Sequence, residues 1–300
     1  MSKSLVTVAS WEPRFLSSLE VALLEEKPSR VDVLYSAKYA GWTSSARRSA
    51  SSMAASAGAS FHQAKLDFER PAALWRGIGT VARRLAKSGC QCIVVDGTTM
   101  PRETTWYLLH MCTELALPTR YVYVPVGAYG PWLSKESLRP RLVLKRSGVL
   151  LPDRPTAVVA ISGYDIGRLN QMLIYFEPRK ICIAKQVGDR YENLERNVPS
   201  ASEFTRHAEF FSFDGFDLTG SSLELLTAKI EPLLDNYNVL LASLGPKLSS
   251  VTAFQVTCRF PDVALVYIPS ESYNKDYSKG ADLDRRVVAD LDLTSGNLEI

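Results

Sequence analysis

Histidine is scarce in this chain. There are three in 300 residues (His62, His110 and His207), and no metal-ligand spacing relates them. The five cysteines (Cys90, Cys92, Cys112, Cys182 and Cys258) form an odd set, and the C-x-C of Cys90 and Cys92 lacks a second ligand pair. A zinc site and a disulfide framework are both unsupported. Reduced, buried thiols point to a cytoplasmic protein without a metal. No apolar run approaches the ~20 residues that cross a bilayer. The opening MSKSLVTVASWEPRFL has no apolar signal core, so no membrane association is expected. A P-loop and a G-x-S-x-G elbow are absent, and no nucleophile has an obvious base beside it. The GIG at 77–79 lies inside a helical pattern rather than after a strand, which excludes a dinucleotide fingerprint there. A net charge of +3 is too small to predict specific nucleic-acid binding.

What is present is an ordinary globular composition, 46% hydrophobic and 22% charged, in a chain long enough for two domains. Short β-rich runs at 5–10, 31–36, 65–69, 92–96 and 120–127 alternate with helical patterns at 14–26, 73–89 and 102–115. The alanines of 45–60 favour helix there, and its serines oppose it. The order then recurs. Strands are expected at 156–162, 180–185, 209–218, 238–243 and 263–270, with helices at 167–178, 222–236 and 247–260 and a polar helical stretch at 191–197. Such alternation predicts an α/β protein with mostly parallel sheets flanked by helices.

Matching residues test for a duplication. Val6 and Val158 are 152 apart, Val33 and Ile183 150, Val94 and Leu240 146, and Val124 and Ile268 144. This slow one-way drift predicts two similar Rossmann-like lobes related by internal duplication, 1–133 and 156–300, joined by 134–155. The basic cluster of the join (Arg139, Arg141, Lys145, Arg146) reads as a solvated linker or edge strand, or else as a phosphate-facing patch.

In open parallel sheets ligands bind beyond the carboxyl ends of the strands. The residues collected there are Trp11, Glu12 and Arg14, then Asp96, Thr98, Thr99 and Arg102 in the first lobe. Ser243, Gly245 and Lys247, with Tyr273 and Tyr277 further on, are the set in the second. Pro101-Arg102 and Pro246-Lys247 both place a proline and then a cation where a helix begins. Proline suits the first helical position, because its missing N–H would be unpaired there. A cation does not, because the helix dipole is already positive at that end. An anionic ligand between cation and backbone would resolve the conflict. So would an ion pair with a carboxylate such as Glu12 or Asp165. Glu103 offsets part of the charge in the first lobe. Thr98, Thr99 and Ser243 are candidate hydroxyl donors, and Gly97 and Gly245 allow close backbone approach. Trp11, Trp42, Tyr129, Tyr164, Tyr273 and Tyr277 are candidates to stack on a ring or to fill an interface. His110 reads as a core or rim residue, and 270–282 as a lid or a surface loop.

The turns SLGPKLS (243–249) and DGTTMPRE (96–103) resemble the strand-to-helix turns of the CARF/SAVED group of Rossmann-like nucleotide sensors of bacterial immunity. The first-lobe turn departs from that group's glycine-rich form. In the group, two such folds pair or fuse and bind a signalling nucleotide across the pair. The resemblance covers the architecture of most of the chain. It implies a sensor or adaptor that recognises a nucleotide or other phosphorylated ligand between two lobes, in antiviral defence, with its effector in a separate protein. Two other readings stand beside it. One is a nucleotide- or nucleoside-processing hydrolase or transferase with Asp96 or Glu12 as base. The other is a structural subunit of a larger complex. No cofactor is indicated by the residues.

Overall fold

The computed structural model describes residues 2–130, 134–163, 165–187, 207–218 and 220–293. The helical stretch expected at 191–197, and Tyr164, lie outside them. The elements run β1 (Lys3–Val8), α1 (Arg14–Glu26), β2 (Arg30–Ser36), α2 (Ser44–Ser56), β3 (Ser60–Leu66), α3 (Pro71–Lys87), β4 (Cys92–Asp96), α4 (Arg102–Glu114), β5 (Thr119–Tyr123) and β6 (Val126–Tyr129). They continue β7 (Ser134–Ser137), β8 (Arg141–Ser147), β9 (Thr156–Ile161), α5 (Ile166–Phe176), β10 (Lys180–Gln186), β11 (Glu209–Phe213), α6 (Ser221–Ile230), β12 (Asn238–Ser243), α7 (Ser249–Arg259), β13 (Ala264–Tyr267), β14 (Ser270–Tyr273), β15 (Ser278–Ala281) and β16 (Val287–Leu291).

Local rules account for most of these. Phe15, Leu19, Ala22 and Leu23 give α1 one buried stripe at helical spacing. Pro71 opens α3, Arg84 and Lys87 sit in its last turn, and Gly89 follows in the left-handed region at φ +75°. The strand expected at 65–69 instead runs from Ser60 to Leu66. Asp67 ends it, because its carboxylate accepts the backbone N–H groups of Glu69 (3.0 Å) and Arg70 (3.2 Å) and folds a turn. β3 is an edge strand, so its outer positions are polar, and this hides it from an apolar-run search.

The chain divides into two units, Met1–Lys135 with Ser272–Thr294, and Glu136–Glu271. The first holds a six-stranded sheet in the order β3-β2-β1-β4-β5-β16. All neighbours are parallel except β16, which pairs antiparallel with β5. Residues 278–291, which the sequence groups with the second lobe, thus add an edge strand to the first sheet and pair β15 with β6. Arg120 anchors β16 through Asp290 at 3.0 Å. The second unit holds β11-β10-β9-β12-β13-β8. Here the antiparallel edge is β8, so Arg141, Lys145 and Arg146 of the basic join lie on an edge strand. Arg146 of β8 donates to the Thr257 carbonyl (2.9 Å) and lies over the Phe254 ring.

Taking strands in chain order, both sheets read 3-2-1-4-5 and then one antiparallel edge. Register sharpens the match. Leu5 pairs with Val31 and Val94, and Val94 with Arg120. Val158 pairs with Ile181 and Leu240, and Leu240 with Ala264. The matched residues are then 153, 150, 146 and 144 apart. The first strand therefore aligns Leu5, not Val6, with Val158. Leu5 belongs to the core under α1, and Val158 to the core under α5. A slip of one residue would turn every side chain to the opposite face.

Candidate functional site

In the first unit the strand order reverses between β1 and β4, so their carboxyl ends flank the crevice where such sheets bind ligands. Asp96 ends β4 and is fully buried. Its oxygens accept the Thr7 hydroxyl (2.9 Å), the Ser18 hydroxyl (2.9 Å) and the Thr98 backbone N–H (3.0 Å). Ser18 gives its single proton to Asp96, so Thr98 donates across the 2.8 Å contact between their hydroxyls. Thr98 Oγ1 in turn accepts Val124 N–H at 3.0 Å, and Thr99 donates to the Val8 carbonyl at 2.6 Å. The Asp96, Thr98 and Thr99 side chains thus lace β1, β4, α1 and the end of β5 together. Gly97 makes room inward too, since a Cβ there would sit 1.8 Å from the Tyr121 hydroxyl.

Charge gathers just outside this knot. Arg14 opens α1, is 2% exposed, and donates twice to Glu12 (3.1 and 2.5 Å) and once to the Val124 carbonyl (3.3 Å). Burial opposes its charge, but Glu12, together with Tyr123 and Tyr277, outweighs it and the guanidinium stays protonated. Arg102 is the first residue of α4, behind a cap of Pro101 in extended conformation (φ −61°, ψ 146°). The proline thus sits one place before the expected first helical position, and its carbonyl takes the Thr105 N–H at 2.9 Å. Glu103 is buried and accepts the Tyr107 hydroxyl at 3.2 Å. Burial raises the Tyr277 phenol well above its ordinary pKa, with Arg14 and Arg102 pulling it down and Tyr123 and Glu12 pushing it up. Tyr277 therefore stays a neutral donor within electrostatic reach of both guanidinium groups, and it packs on Tyr129 at 5.6 Å.

Beside the charges lies an aromatic cluster. Trp11, after β1, meets Tyr39 (5.3 Å), Trp42 (5.1 Å) and Tyr273 (6.4 Å), all edge-on. Tyr39 also meets Trp42 (5.0 Å) and Tyr273 (6.1 Å). Tyr39 and Lys275 were not among the residues read from the sequence. Lys38, Tyr39 and Trp42 follow the carboxyl end of β2, the same position along the sheet as the residues after β1 and β4. Lys275 lies between Tyr273 and Tyr277 in the 270–282 segment, where no residue pattern singles out the lysine itself. His110 sits partly buried in α4 with its ring 5.1 Å from Trp75.

The corresponding turns of the second unit are built differently. Ser243 shares a 2.8 Å hydrogen bond with Ser249, whose hydroxyl donates to the Pro246 carbonyl at 2.7 Å. Lys247 precedes α7, which begins at Ser249. The Pro246 and Lys247 carbonyls accept Ser249 N–H (3.1 Å) and Ser250 N–H (3.0 Å) in a tight i→i+3 turn. A Cβ at Gly245 would lie 2.7 Å from the Ser162 carbonyl, and one at Gly163 would lie 1.8 Å from the Leu244 carbonyl. These glycines let two turns of the protein approach each other. Asp165 caps α5 through Arg168 N–H (3.1 Å) and pairs with the Arg168 guanidinium at 2.9 Å.

Among the described residues no group of three or more His, Cys, Asp or Glu side chains could hold a metal, and no helix is long and apolar enough to cross a membrane. The carboxylates of Glu26, Asp67 and Glu209 shift downward. Burial pushes Glu26 up, but Lys3 and Arg120 outweigh it. Arg70 lowers Asp67, and Lys229 and Lys180 lower Glu209.

No protein-family model matches the chain, and no curated protein does. Among solved structures it is similar to Can2 from Sulfobacillus thermosulfidooxidans in complex with cyclic tetra-adenylate, at 12% identity and a TM-score of 0.31. That likeness covers 40% of this chain and 31% of Can2. CobK precorrin-6A reductase is similar at 11% identity over 85% of this chain and 84% of that one (TM-score 0.22). A universal stress protein from Archaeoglobus fulgidus is similar at 10% identity over 88% and 94% (TM-score 0.27). At these scores the likenesses carry no functional argument. The α/β fold with two largely parallel sheets is read from the strand pairings themselves.

Proposed function

We propose that the strand carboxyl ends of the first unit bind a nucleotide or other phosphorylated ligand, and that the chain is a sensor or adaptor. The observation that carries this is the placement, at the sheet's switch point, of Arg14 at the start of α1 and Arg102 at the start of α4, with the Trp11 aromatic cluster following β1. Arg102 supplies charge to a phosphate, Tyr277 a hydrogen bond, and Trp11 and Tyr273 the wall for a base. Glu12 holds Arg14 in place. In the second unit the turn that carries Lys247 is closed on itself through Gly245 and Gly163, so it is left out of the proposed site. Thr98, Thr99 and Ser243 act one step back, by fixing the turns on which the cations stand.

Asp96 is fully buried with its oxygens turned to three internal donors, which favours binding over catalysis because a general base must reach its substrate. The shared strand order and the graded offsets support an origin of the two units by duplication. The resemblance to CARF/SAVED sensors extends the proposal to antiviral defence in the cytoplasm, with a separate effector protein.

A thermal-shift screen of mononucleotides, dinucleotides and cyclic oligonucleotides tests the reading. A true ligand raises the melting temperature by mass action, by roughly 2.7 kcal/mol of added stability at a hundred times its Kd. Arg102→Ala should abolish the rise without changing the unliganded melting temperature by more than a few degrees. Absence of any shift across the whole panel would overturn the proposal.

A further inference from the structure

Trp42 is out of place by ordinary packing rules. It is 46% exposed, although three other aromatic rings are at hand. Trp11 meets it edge-on and Tyr39 meets it tilted, at 5.1 and 5.0 Å, so its orientation is fixed from behind. Lys275 lies over the ring, its ammonium 3.8 Å from the centroid. The arrangement is thus a braced, half-exposed ring under a long-chain cation. The Trp11 indole N–H, buried within the same cluster, has no hydrogen-bond partner. A cavity of about 350 Å³ opens next to the cluster, lined by Ser36, Ala37, Lys38, Asp67, Phe68 and Glu69. Lys38 belongs to both, since its ammonium lies 5.6 Å from the Tyr39 centroid and 2.7 Å from Glu69.

We infer that Trp42 is a stacking platform for the base of the ligand and that Lys275 is its displaceable cover. This rests on the nucleotide reading above and moves the base contact onto Trp42, with Trp11 and Tyr39 as its braces. A flat base gains more from an indole face than a single ammonium does, because stacking removes apolar area from water as well as engaging the π-system. A solvated cation–π contact holds the lysine only weakly, so its displacement costs little. Once displaced, the ammonium remains tethered beside the base, where it can pair with a phosphate. The inference assigns the ligand a planar ring next to an anionic group, so a bare inorganic phosphate would use only part of the site.

Adenosine, cytidine and inorganic pyrophosphate separate the two halves of the account. Nucleosides carry the ring without phosphate, and pyrophosphate carries the charge without the ring. Adenosine should quench part of the tryptophan fluorescence of the wild type, cytidine should do so more weakly, and Trp42→Leu should lose the saturable component. Affinity for a nucleotide should fall about tenfold in Trp42→Leu and recover largely in Trp42→Phe, while pyrophosphate binding stays the same. Lys275→Met should bind adenosine at least as tightly as the wild type. Pyrophosphate binding without Trp42-dependent nucleoside binding overturns the platform and leaves the anion site standing. Trp42-dependent quenching without pyrophosphate binding supports the platform and removes the phosphate role. No saturable quenching by either nucleoside overturns the platform outright.

Discussion

The two turns Asp96–Arg102 and Ser243–Lys247 look alike in sequence and end equivalent strands, yet they are held in different ways. In the first, a buried carboxylate organises the turn by accepting three hydrogen bonds. The ladder places Ala242 where Asp96 stands, and there the work is done by glycine, with Gly163 and Gly245 bringing backbones together. A carboxylate-centred turn leaves the neighbouring surface to Arg14, Arg102, Tyr277 and the aromatic rings. A glycine-closed turn uses the same space for contact between its own loops. The shared proline and cation are thus a resemblance of composition. Strand register sets the offset at 146, the motif at 145 and the first helical residue at 147, so the cations stand at unlike points of their helices.

Breaking the carboxylate should have the largest effect. Asp96→Ala strands two hydroxyls and an N–H in a dry core and should cost roughly 3 kcal/mol or more in urea unfolding. Asp96→Asn should cost less, because one oxygen still accepts. A value under about 1 kcal/mol for Asp96→Ala would show that the turn does not depend on this group.

Next is the glycine closure. Gly163→Ala drives a methyl into the Leu244 carbonyl, a backbone atom that cannot turn aside, and should cost ~2–3 kcal/mol. Gly97→Ala meets the hydroxyl and ring carbons of Tyr121, a fully buried side chain, and should cost a similar amount. A loss under about 1 kcal/mol for Gly163→Ala would contradict the closure of the second turn by glycine.

Acid should separate the units more gently. The folded pKa of Glu26 is depressed, so its stabilisation is present above the unfolded carboxylate range and fades as pH falls through the lower, folded value. Glu26 is 4% exposed between Lys3 and Arg120, whereas Glu209 is 40% exposed between Lys180 and Lys229. Both lose stability in the same direction, and solvent screening makes the second loss smaller. Hydrogen exchange followed from pH 6 to pH 3 should therefore show β1 and β5 loosening more than β10 and β11. Glu26→Gln should remove most of that larger loss, and Glu209→Gln should change stability by no more than ~0.5 kcal/mol.

Sequence reasoning reached the sheets because buried parallel strands are continuous apolar runs, such as CIVVD and NVLLAS, that need no partner to be recognised. It missed the return of 278–291 because antiparallel pairing such as Arg120 with Asp290, 170 residues apart, leaves no local trace. The polar edge strand β3 was displaced for the opposite reason, since its composition is that of a surface. Within the candidate site, position along the strands was legible but direction was not. Thr98 and Thr99 stand where a ligand donor would stand, and only the fold reveals that their hydroxyls face inward.

The most direct test of a first-unit anion site is hydrogen exchange of the whole protein with and without the nucleotide that gives the largest thermal shift. Binding at that site predicts added protection at residues 11–14, 97–103 and 273–277, lost in Arg102→Ala. Protection confined to other segments, or protection at these segments that persists undiminished in Arg102→Ala, would contradict it.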